Sequence, residues 1–300
     1  MVREGFVEWA GYKTWFACFG ERVDDRLPLL VAHGGPGMTH DYLLPLQVLA
    51  SGGRQVVLYD QLGNGNSTRL PEKGGDTAFW TPALFLAELS EVIEYMNLDT
   101  GVHFLGQSWS GMLGIEYAVR RPKELASLIL ANSPSSMATW AAEVGKLRNH
   151  LPDAVRRVLD ACEASRSTDT PEYAEATLAF YRRHLCRLDP WPEGMQRSYD
   201  LATQFSTVYG TMIGANEFTV TGSLSSWDMD DQLHKISVPT LVLHGEFDEA
   251  TDEVVRASRD LIPDVEYRKV PGASHTPHLE KPDVTIPVIA DFISRHDPPL

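Results

Sequence analysis

Residues 102–110, VHFLGQSWS, join a short apolar run to a helical segment that extends from Met112 to Arg120. A serine between small residues, at a turn from a buried strand into a helix, is typical of the nucleophile elbow of hydrolases. Such a turn strains the backbone of the serine, and only small neighbours leave room for it. Ser110 departs from the G-x-S-x-G pattern because it occupies the position of the second glycine. The stretch predicts that Ser108 is a nucleophile.

Strand and helix patterns alternate on both sides of this stretch. Continuous apolar runs at 29–32, 56–59, 102–105 and 128–131 are typical of strands buried on both faces. Thr81-Pro82 is a helix start that leads into an amphipathic stretch ending near Asn97. Two β-rich runs at 6–9 and 14–19, separated by Gly11, predict an antiparallel hairpin. The alternation predicts an α/β fold with a mostly parallel sheet flanked by helices.

The pattern changes in the middle of the chain, where residues 135–235 show helical periodicity without buried-strand runs. The sheet pattern resumes at 240–244 and continues with a helix at 252–261, a strand at 265–270 and a last helix. We therefore expect a core formed by 1–134 and 236–300, interrupted by an all-helical cap at 135–235. A cap at this place would cover the carboxyl ends of the strands, where open α/β sheets bind ligands.

Composition narrows the class of protein. The 300 residues are 43% hydrophobic and 22% charged, which is typical of a globular chain. The formal charge of −15 argues against nucleic acid and anionic membranes as partners, and it suits a cationic substrate. Residues 1–5 contain no long apolar run, so we expect neither a signal peptide nor a membrane span. Three scattered cysteines without metal-ligand spacing fit a reducing, cytoplasmic location.

A serine nucleophile needs a base and an acid that orients the base. Asp248 directly follows the apolar run that ends at His244, and His275 directly follows the one that ends at Val270. The chain order serine, aspartate, histidine, with each residue just past a strand, is the α/β-hydrolase order. We therefore predict a triad of Ser108, Asp248 and His275. Glu246 and Asp252 are the alternatives for the acid, and His278 is the alternative for the base.

A glycine-rich segment, His33-Gly34-Gly35-Pro36-Gly37, follows the third predicted strand. Glycines let the backbone approach a ligand closely, and an amide there can act with the amide after the nucleophile to stabilise an oxyanion. We predict that the amides of Gly35 and Trp109 are these two donors. The alternative is a simple glycine turn.

Several motifs taken together resemble one family. They are His33-Gly-Gly-Pro-Gly37, Tyr59-Asp-Gln-Leu-Gly-Asn-Gly-Asn-Ser67, Gly106-Gln-Ser-Trp109, Asn216-Glu-Phe218, Gly245-Glu-Phe-Asp-Glu249 and Ser274-His275. In this combination the chain resembles the proline iminopeptidase family and its relatives, the L-amino acid amidases and tricorn-interacting aminopeptidases. The resemblance implies an α/β-hydrolase core with a helical cap. It also implies that a serine triad removes an N-terminal residue or cleaves an amino-acid amide.

The resemblance gives Glu217 and Glu249 a role in substrate binding, because family members hold the free α-ammonium with acidic residues at the matching positions. Elementary physics agrees, since an ammonium that leaves water needs charge-assisted hydrogen bonds. Two nearby carboxylates also repel each other, and a cationic ligand relieves that repulsion. The alternative is that both are solvated surface glutamates, which is the usual situation for this residue type.

Other features have simpler interpretations. Ser110-Gly111 replaces the Gly-Gly that is usual in the family after Trp109, and we predict that Ser110 is a tolerated small residue. The aromatic residues of the cap could line an apolar pocket, although such residues more often form core; they are Trp140, Trp191, Tyr209, Phe218 and Trp227. The sequence contains no metal-ligand spacing and no phosphate-binding loop, so we expect no cofactor.

The sequence as a whole predicts a cofactor-independent serine hydrolase. Ser108 would attack the carbonyl of a residue with a free amine, in a short peptide or an amino-acid amide, and form an acyl-enzyme. One alternative is an esterase, lactonase or biosynthetic amide hydrolase with the same triad. The other is a ligand receptor built on a hydrolase fold. The preferred residue, proline or another apolar one, the leaving group and the oligomeric state remain open.

Overall fold

The computed structural model of the chain describes residues 2–23, 26–51 and 53–298. The strands of its main sheet are β1 Val2–Trp9, β2 Tyr12–Phe19, β3 Leu29–Ala32, β4 Val56–Tyr59, β5 Val102–Gln107, β6 Leu125–Ala131, β9 Thr240–Gly245 and β10 Val265–Val270. Their order across the sheet is β1-β2-β4-β3-β5-β6-β9-β10. β1, β2 and β4 pair antiparallel, and every other neighbouring pair in this sheet is parallel. The mostly parallel sheet and the N-terminal hairpin are thus confirmed.

Helices cover both faces of the sheet, so the central strands β3, β4 and β5 are buried along their whole length. The helices are α1 Pro82–Tyr95, α2 Trp109–Ala118, α3 Met137–Asn149, α4 Asp153–Ser165, α5 Pro171–His184, α6 Glu193–Gln204, α7 Thr207–Met212, α8 Asp252–Leu261, α9 Pro277–Glu280 and α10 Pro282–Arg295. The predicted start of α1 is confirmed, since the Thr81 side chain accepts a hydrogen bond from the Leu84 amide. Within the described residues, no helix has both the length and the apolar character needed to cross a bilayer.

Strand register brings the loops of interest together at one edge of the sheet. Ala32 at the end of β3 pairs with Gly106 near the end of β5, so the segment after β3 begins beside the serine turn. Val270 at the end of β10 pairs with Gly245 at the end of β9. The loops after β9 and β10 are therefore neighbours as well, at the carboxyl ends of parallel strands.

The stretch between β6 and β9 contains helices α3 to α7, as the helical periodicity predicts. It also contains a small hairpin of β7, Gly214–Asn216, and β8, Thr219–Val220, which the expectation of helices alone did not include. Strands this short leave no recognisable alternation of apolar and polar residues. The limits 135 and 235 of the cap remain a prediction. The carbonyl of His184, at the end of α5, accepts hydrogen bonds from the amides of Glu249 and His275 and so links the insertion to both loops.

Candidate active site

Ser108 lies at the turn between β5 and α2 with a strained backbone, φ 54° and ψ −117°. Its amide donates to the Ala131 carbonyl at 2.8 Å. Gly106 and Gly111 provide the space for the turn. A Cβ at position 106 would lie 2.1 Å from the Ser110 carbonyl oxygen, and a Cβ at position 111 would lie 2.3 Å from Ser133 Oγ. The steric requirement for glycine therefore falls on positions 106 and 111, and position 110 accepts a side chain.

The loops after β9 and β10 place Asp248 against His275, with Asp248 Oδ1 2.6 Å from His275 Nδ1. The same carboxylate accepts hydrogen bonds from the amides of Ala250 and Gly245 and from the side chain of Asn132. Burial raises the pKa of Asp248, but the charge and hydrogen bond of His275 and the Asn132 contact outweigh burial and hold that pKa below its ordinary value. Asp248 is thus ionised and oriented toward the imidazole.

The residues named above as alternatives for the acid and the base have other partners. The Glu246 carboxylate accepts a hydrogen bond from the Gly272 amide at the exposed surface. Asp252 pairs with Lys269 and Tyr267. His278 is buried with its Nε2 2.9 Å from the Tyr42 carbonyl oxygen, and burial lowers its pKa to about 4. The geometry therefore favours Asp248 and His275 over each of them.

The glycine segment after β3 forms a tight turn beside Ser108. Gly35 has φ +116°, and a Cβ there would lie 2.1 Å from the Gly37 nitrogen, so only glycine fits. The Gly34 amide donates to the Tyr42 hydroxyl at 2.7 Å, and the Gly34 carbonyl accepts from the Met38 amide at 3.3 Å. Trp109 is the first residue of α2, where helical amides have no partner in a preceding turn. Gly35 lines the same cavity as Ser108, and Trp109 directly follows Ser108 in the chain.

Ser110 is hydrogen-bonded within this arrangement. Its hydroxyl donates to the His33 carbonyl and accepts from Gln61 Nε2 at 3.0 Å. Gln61 Nε2 also donates to the His33 carbonyl at 2.8 Å, and Gln61 Oε1 accepts from Trp109 Nε1 at 2.8 Å. Ser110 and Gln61 therefore connect the elbow helix to the start of the glycine segment. This network differs from the expectation that Ser110 only fills space.

The structure brings Glu217 and Glu249 to the same cavity as Ser108 and His275. Glu217 occupies the turn of the β7–β8 hairpin, and its Oε1 accepts from the Tyr209 hydroxyl at 2.9 Å. Glu249 is fully buried, and neither of its carboxylate oxygens has a hydrogen-bond partner among the described residues. Its Oε1 lies 3.8 Å from His275 Nε2. Neither residue is the solvated surface glutamate of the alternative interpretation.

Both glutamates have perturbed protonation. Burial raises the pKa of Glu217 to about 7, although the Tyr209 hydrogen bond opposes the rise. Burial, together with the charges of Glu217 and Asp248, raises the pKa of Glu249 well above its ordinary value. A buried carboxylate without a partner is costly, and an ammonium group between the two would supply both charge and hydrogen-bond donors. The pair is therefore suited to a cationic ligand.

The cavity has a volume of about 440 Å³ and extends from Ser108 into the insertion. Its walls come from the core loops and from the insertion, including α5, α6 and α7. The lining residues from the core are Gly35, Met38, Tyr42, Gln107, Ser108, Glu249, His275 and Thr276. Those from the insertion are Thr168, Asp169, Tyr173, Ala174, Thr177, Tyr181, Leu185, Met195, Tyr199, Ala202, Thr203, Ser206, Tyr209, Gly210, Gly214, Ala215 and Glu217. Pockets of roughly 300–1,000 Å³ hold drug-sized ligands. The volume of about 440 Å³ lies within this range.

Sequence reasoning missed several residues that position the site. Asn132 holds Asp248, and Gln107 Nε2 donates to the His275 carbonyl at 3.1 Å. Tyr209 lines the cavity, which the sequence left open for the aromatic residues of the cap, and it also holds Glu217, which the sequence did not indicate. A single amide or phenol outside a motif has no spacing signal, so only the fold reveals these contacts.

The other aromatic residues of that group contribute differently. Trp140 is buried, packs edge-on against the His275 ring at 6.0 Å and donates its indole N–H to the Glu217 carbonyl at 2.8 Å. Trp191, Phe218 and Trp227 pack with the core and are not among the residues that line the described cavity. Among the described residues, no cluster of three or more histidine, cysteine or acidic side chains could hold a metal ion.

Comparisons with known proteins agree with this architecture. Residues 28–282 match the model of the family described as alpha/beta hydrolase fold. A proline iminopeptidase of Heyndrickxia coagulans is 34% identical over 98% of this chain and 99% of that protein. The crystal structure of VinJ is 45% identical with a TM-score of 0.95, covering 98% of both chains. The crystal structure of a Mycobacterium smegmatis proline iminopeptidase is 43% identical with a TM-score of 0.90, covering 98% of this chain and 99% of that one.

Proposed function

Because the chain belongs to the proline iminopeptidase family of α/β hydrolases, we propose that it cleaves the amide bond after an N-terminal residue that has a free α-amine. The substrate is a short peptide or an amino-acid amide. The observation that carries this proposal is the pair of the buried Glu249 and the half-buried Glu217 on the cavity of Ser108, because two such carboxylates have no purpose for a neutral ester.

In the proposed mechanism, His275 takes the proton of Ser108 as the hydroxyl attacks the scissile carbonyl. Asp248 fixes the imidazole and stabilises its charged form. The amides of Gly35 and Trp109 hold the oxyanion of the tetrahedral intermediate, and the positive end of α2 adds to that field. His275 then gives its proton to the leaving amine. Water, activated by the same imidazole, hydrolyses the acyl-enzyme and restores Ser108.

The glutamates fix which bond is cut. An ammonium held between Glu217 and Glu249 places the carbonyl of the same residue one carbon away from the held nitrogen. Only a terminal residue with a free amine satisfies both the carboxylates and the serine, so the proposal is an exopeptidase or amidase that releases one residue at a time. The Tyr209 hydroxyl donates a hydrogen bond to the Glu217 carboxylate and so orients it toward the cavity.

Matched substrates test the proposal directly. We expect aminoacyl anilides of proline, alanine and leucine with a free amine to be hydrolysed at least about 100-fold faster, in kcat/KM, than the same anilides with an acetylated amine. Ser108→Ala is expected to abolish turnover with an unchanged melting temperature. Equal rates for the free and acetylated substrates would instead favour the esterase or lactonase alternative with the same triad.

Substitutions test whether Glu217 and Glu249 bind the substrate amine or only add to the negative charge of the protein. Glu217→Gln and Glu249→Gln should each lower kcat/KM for the free-amine substrate by roughly 30-fold or more, because a desolvated ammonium loses a charged partner. Glu253→Gln is the matched control, since Glu253 is an exposed glutamate of α8 that pairs with Arg256. Wild-type kinetics in both of the first two variants would remove the carboxylate pair from the proposal.

A further inference from the structure

The distribution of charge in the cavity is one-sided. Asp169, Glu217 and Glu249 contribute three carboxyl groups to its described walls, and no lysine or arginine is among the residues that line it. His275 is the one lining side chain in the described chain that can take a positive charge, and it faces Asp248 and Glu249. An ammonium group of the substrate can pair with the two glutamates. No lysine or arginine in these described walls can pair with a second, negatively charged group of the substrate.

Beyond the glutamates, the cavity wall in the insertion combines aromatic and apolar residues with Asp169 and several threonine and serine hydroxyls. Tyr173, Tyr181 and Tyr199 from α5 and α6 line it together with Leu185 and Met195. The Tyr173 hydroxyl is occupied by Asn216 and Glu163, so its ring is the part that remains for a ligand. Burial raises the pKa of Tyr181 well above its ordinary value, so this phenol stays neutral. Such a wall suits an uncharged group with substantial apolar surface.

A free dipeptide places its carboxylate only one carbon beyond the scissile nitrogen, and therefore among the residues that line the cavity of Ser108. There the carboxylate would leave water, meet no cation and face carboxyl groups of like charge. A leaving amine without a carboxylate avoids all of these costs. The same walls therefore discriminate between two substrates that share an identical scissile amide.

We propose that the enzyme prefers aminoacyl amides to free dipeptides. In the preferred substrates, the leaving amine is largely apolar and carries no charged group besides its own amino group. This inference rests on the proposed function, because it assumes that the substrate ammonium lies at Glu217 and Glu249. It assigns the aromatic part of the cavity, along α5 and α6, to the leaving group.

A pair of substrates that differ only in the terminal group tests this selectivity. With the N-terminal residue that the anilide panel identifies as best, here called Xaa, the substrates are Xaa-Phe-NH₂ and Xaa-Phe as the free acid, each assayed by release of Xaa. We expect kcat/KM to be at least about tenfold higher for the amide, equivalent to about 1.4 kcal/mol. A smaller ratio, or a preference for the acid, would overturn the proposal.

A charge added at the mouth of the cavity provides a second measurement. Thr203 is an exposed lining residue of α6, so Thr203→Lys should raise the acid-to-amide ratio of kcat/KM by about threefold or more. Thr203→Met is the matched control of similar length without charge, and its ratio should equal that of the wild type. An unchanged ratio in Thr203→Lys, or an equal rise in both variants, would contradict a charge-based preference.

The outcomes distinguish this inference from the proposed function. Equal hydrolysis of acid and amide, with acetylated substrates still rejected, would overturn the leaving-group preference and leave the aminopeptidase intact. Hydrolysis of acetylated amides at the rate of free ones would overturn the proposed function and, with it, this inference.

Discussion

At the scale of single residues, Ser110 gives this elbow a feature that glycine cannot provide. The strained Ser108 backbone requires space at positions 106 and 111, where a Cβ would collide with the Ser110 carbonyl oxygen or with Ser133. Position 110 has no such requirement, and its hydroxyl instead donates to the His33 carbonyl next to the glycine segment. The side chain thus connects the residue after one proposed oxyanion donor, Trp109, to the loop that holds the other, Gly35.

We expect Ser110→Ala to lower kcat for an aminoacyl amide by about 2- to 10-fold with little change in KM, because one hydrogen bond of about 0.5–1.5 kcal/mol that positions the glycine loop is lost. Steady-state kinetics of the variant measures this directly, and its melting temperature controls for a general loss of stability. Ser110→Gly should show at least the same loss. Wild-type kcat in both variants would restore the prediction made from the sequence, that Ser110 is only a tolerated small residue.

The sequence predicts the triad because Ser108, Asp248 and His275 each lie in a motif just past an apolar run, whereas the roles of Glu217 and Glu249 come from the family resemblance; all five roles stay predictions. The structure places Asp248 against His275 and brings both glutamates to the cavity of Ser108. The contacts of Asn132, Tyr209 and Ser110 could not be predicted, because they depend on which loops meet across the sheet. Residue type and spacing contain no information on such contacts between distant segments.

At the scale of elements, the N-terminal hairpin and α1 share a buried carboxyl group. Glu88 of α1 accepts hydrogen bonds from Thr14 of β2 and from the Leu62 amide through Oε1, while its buried Oε2 has no partner among the described residues. Burial raises the pKa of Glu88 to about 8, so the neutral acid is the stable form in the folded protein. The hairpin therefore packs on α1 through a group that prefers to stay protonated.

The raised pKa of Glu88 makes stability depend on pH. The folded state binds a proton between the ordinary carboxyl pKa of 4.5 and about 8 that the unfolded state releases, so the free energy of unfolding falls as pH rises through this window. The slope from this group is at most about 1.4 kcal/mol per pH unit. Glu88→Gln should flatten the decline of the urea midpoint between pH 5.5 and pH 8. An equal decline in the variant would assign the effect to other groups.

Elements were predictable where their periodicity was long enough. The buried strands β3 and β4, the strand β10 and the helix α8 have the bounds that their patterns predict. The β7–β8 hairpin was missed because strands of three and two residues show no pattern. This hairpin nevertheless presents Glu217 to the cavity. The element that the sequence did not predict therefore contains the site residue that was hardest to identify from the sequence.

At the scale of the whole molecule, the proposed amine site is assembled from both parts of the chain. Glu249 follows β9 of the sheet, while Glu217 belongs to the hairpin of the insertion. Hydrogen bonds from the amides of Glu249 and His275 to the His184 carbonyl link the two parts at the site itself. The substrate ammonium would therefore join the insertion to the core, and its binding depends on the protonation of residues from both.

That dependence predicts the shape of the pH profile. Glu217, with a pKa of about 7 in the free protein, must be ionised to hold the ammonium, so its protonation lowers kcat/KM as pH falls. Glu249, whose pKa is also raised, must be ionised as well, and it is present in both the wild type and the Glu217 variant. The logarithm of kcat/KM, measured between pH 5 and 6.5 where the substrate amine stays charged, should therefore fall more steeply with decreasing pH in the wild type than in Glu217→Gln. In Glu217→Gln the overall rate should be lower, and the slope should be smaller by about one. Equal slopes in both proteins would mean that the ionisation of Glu217 does not govern substrate binding.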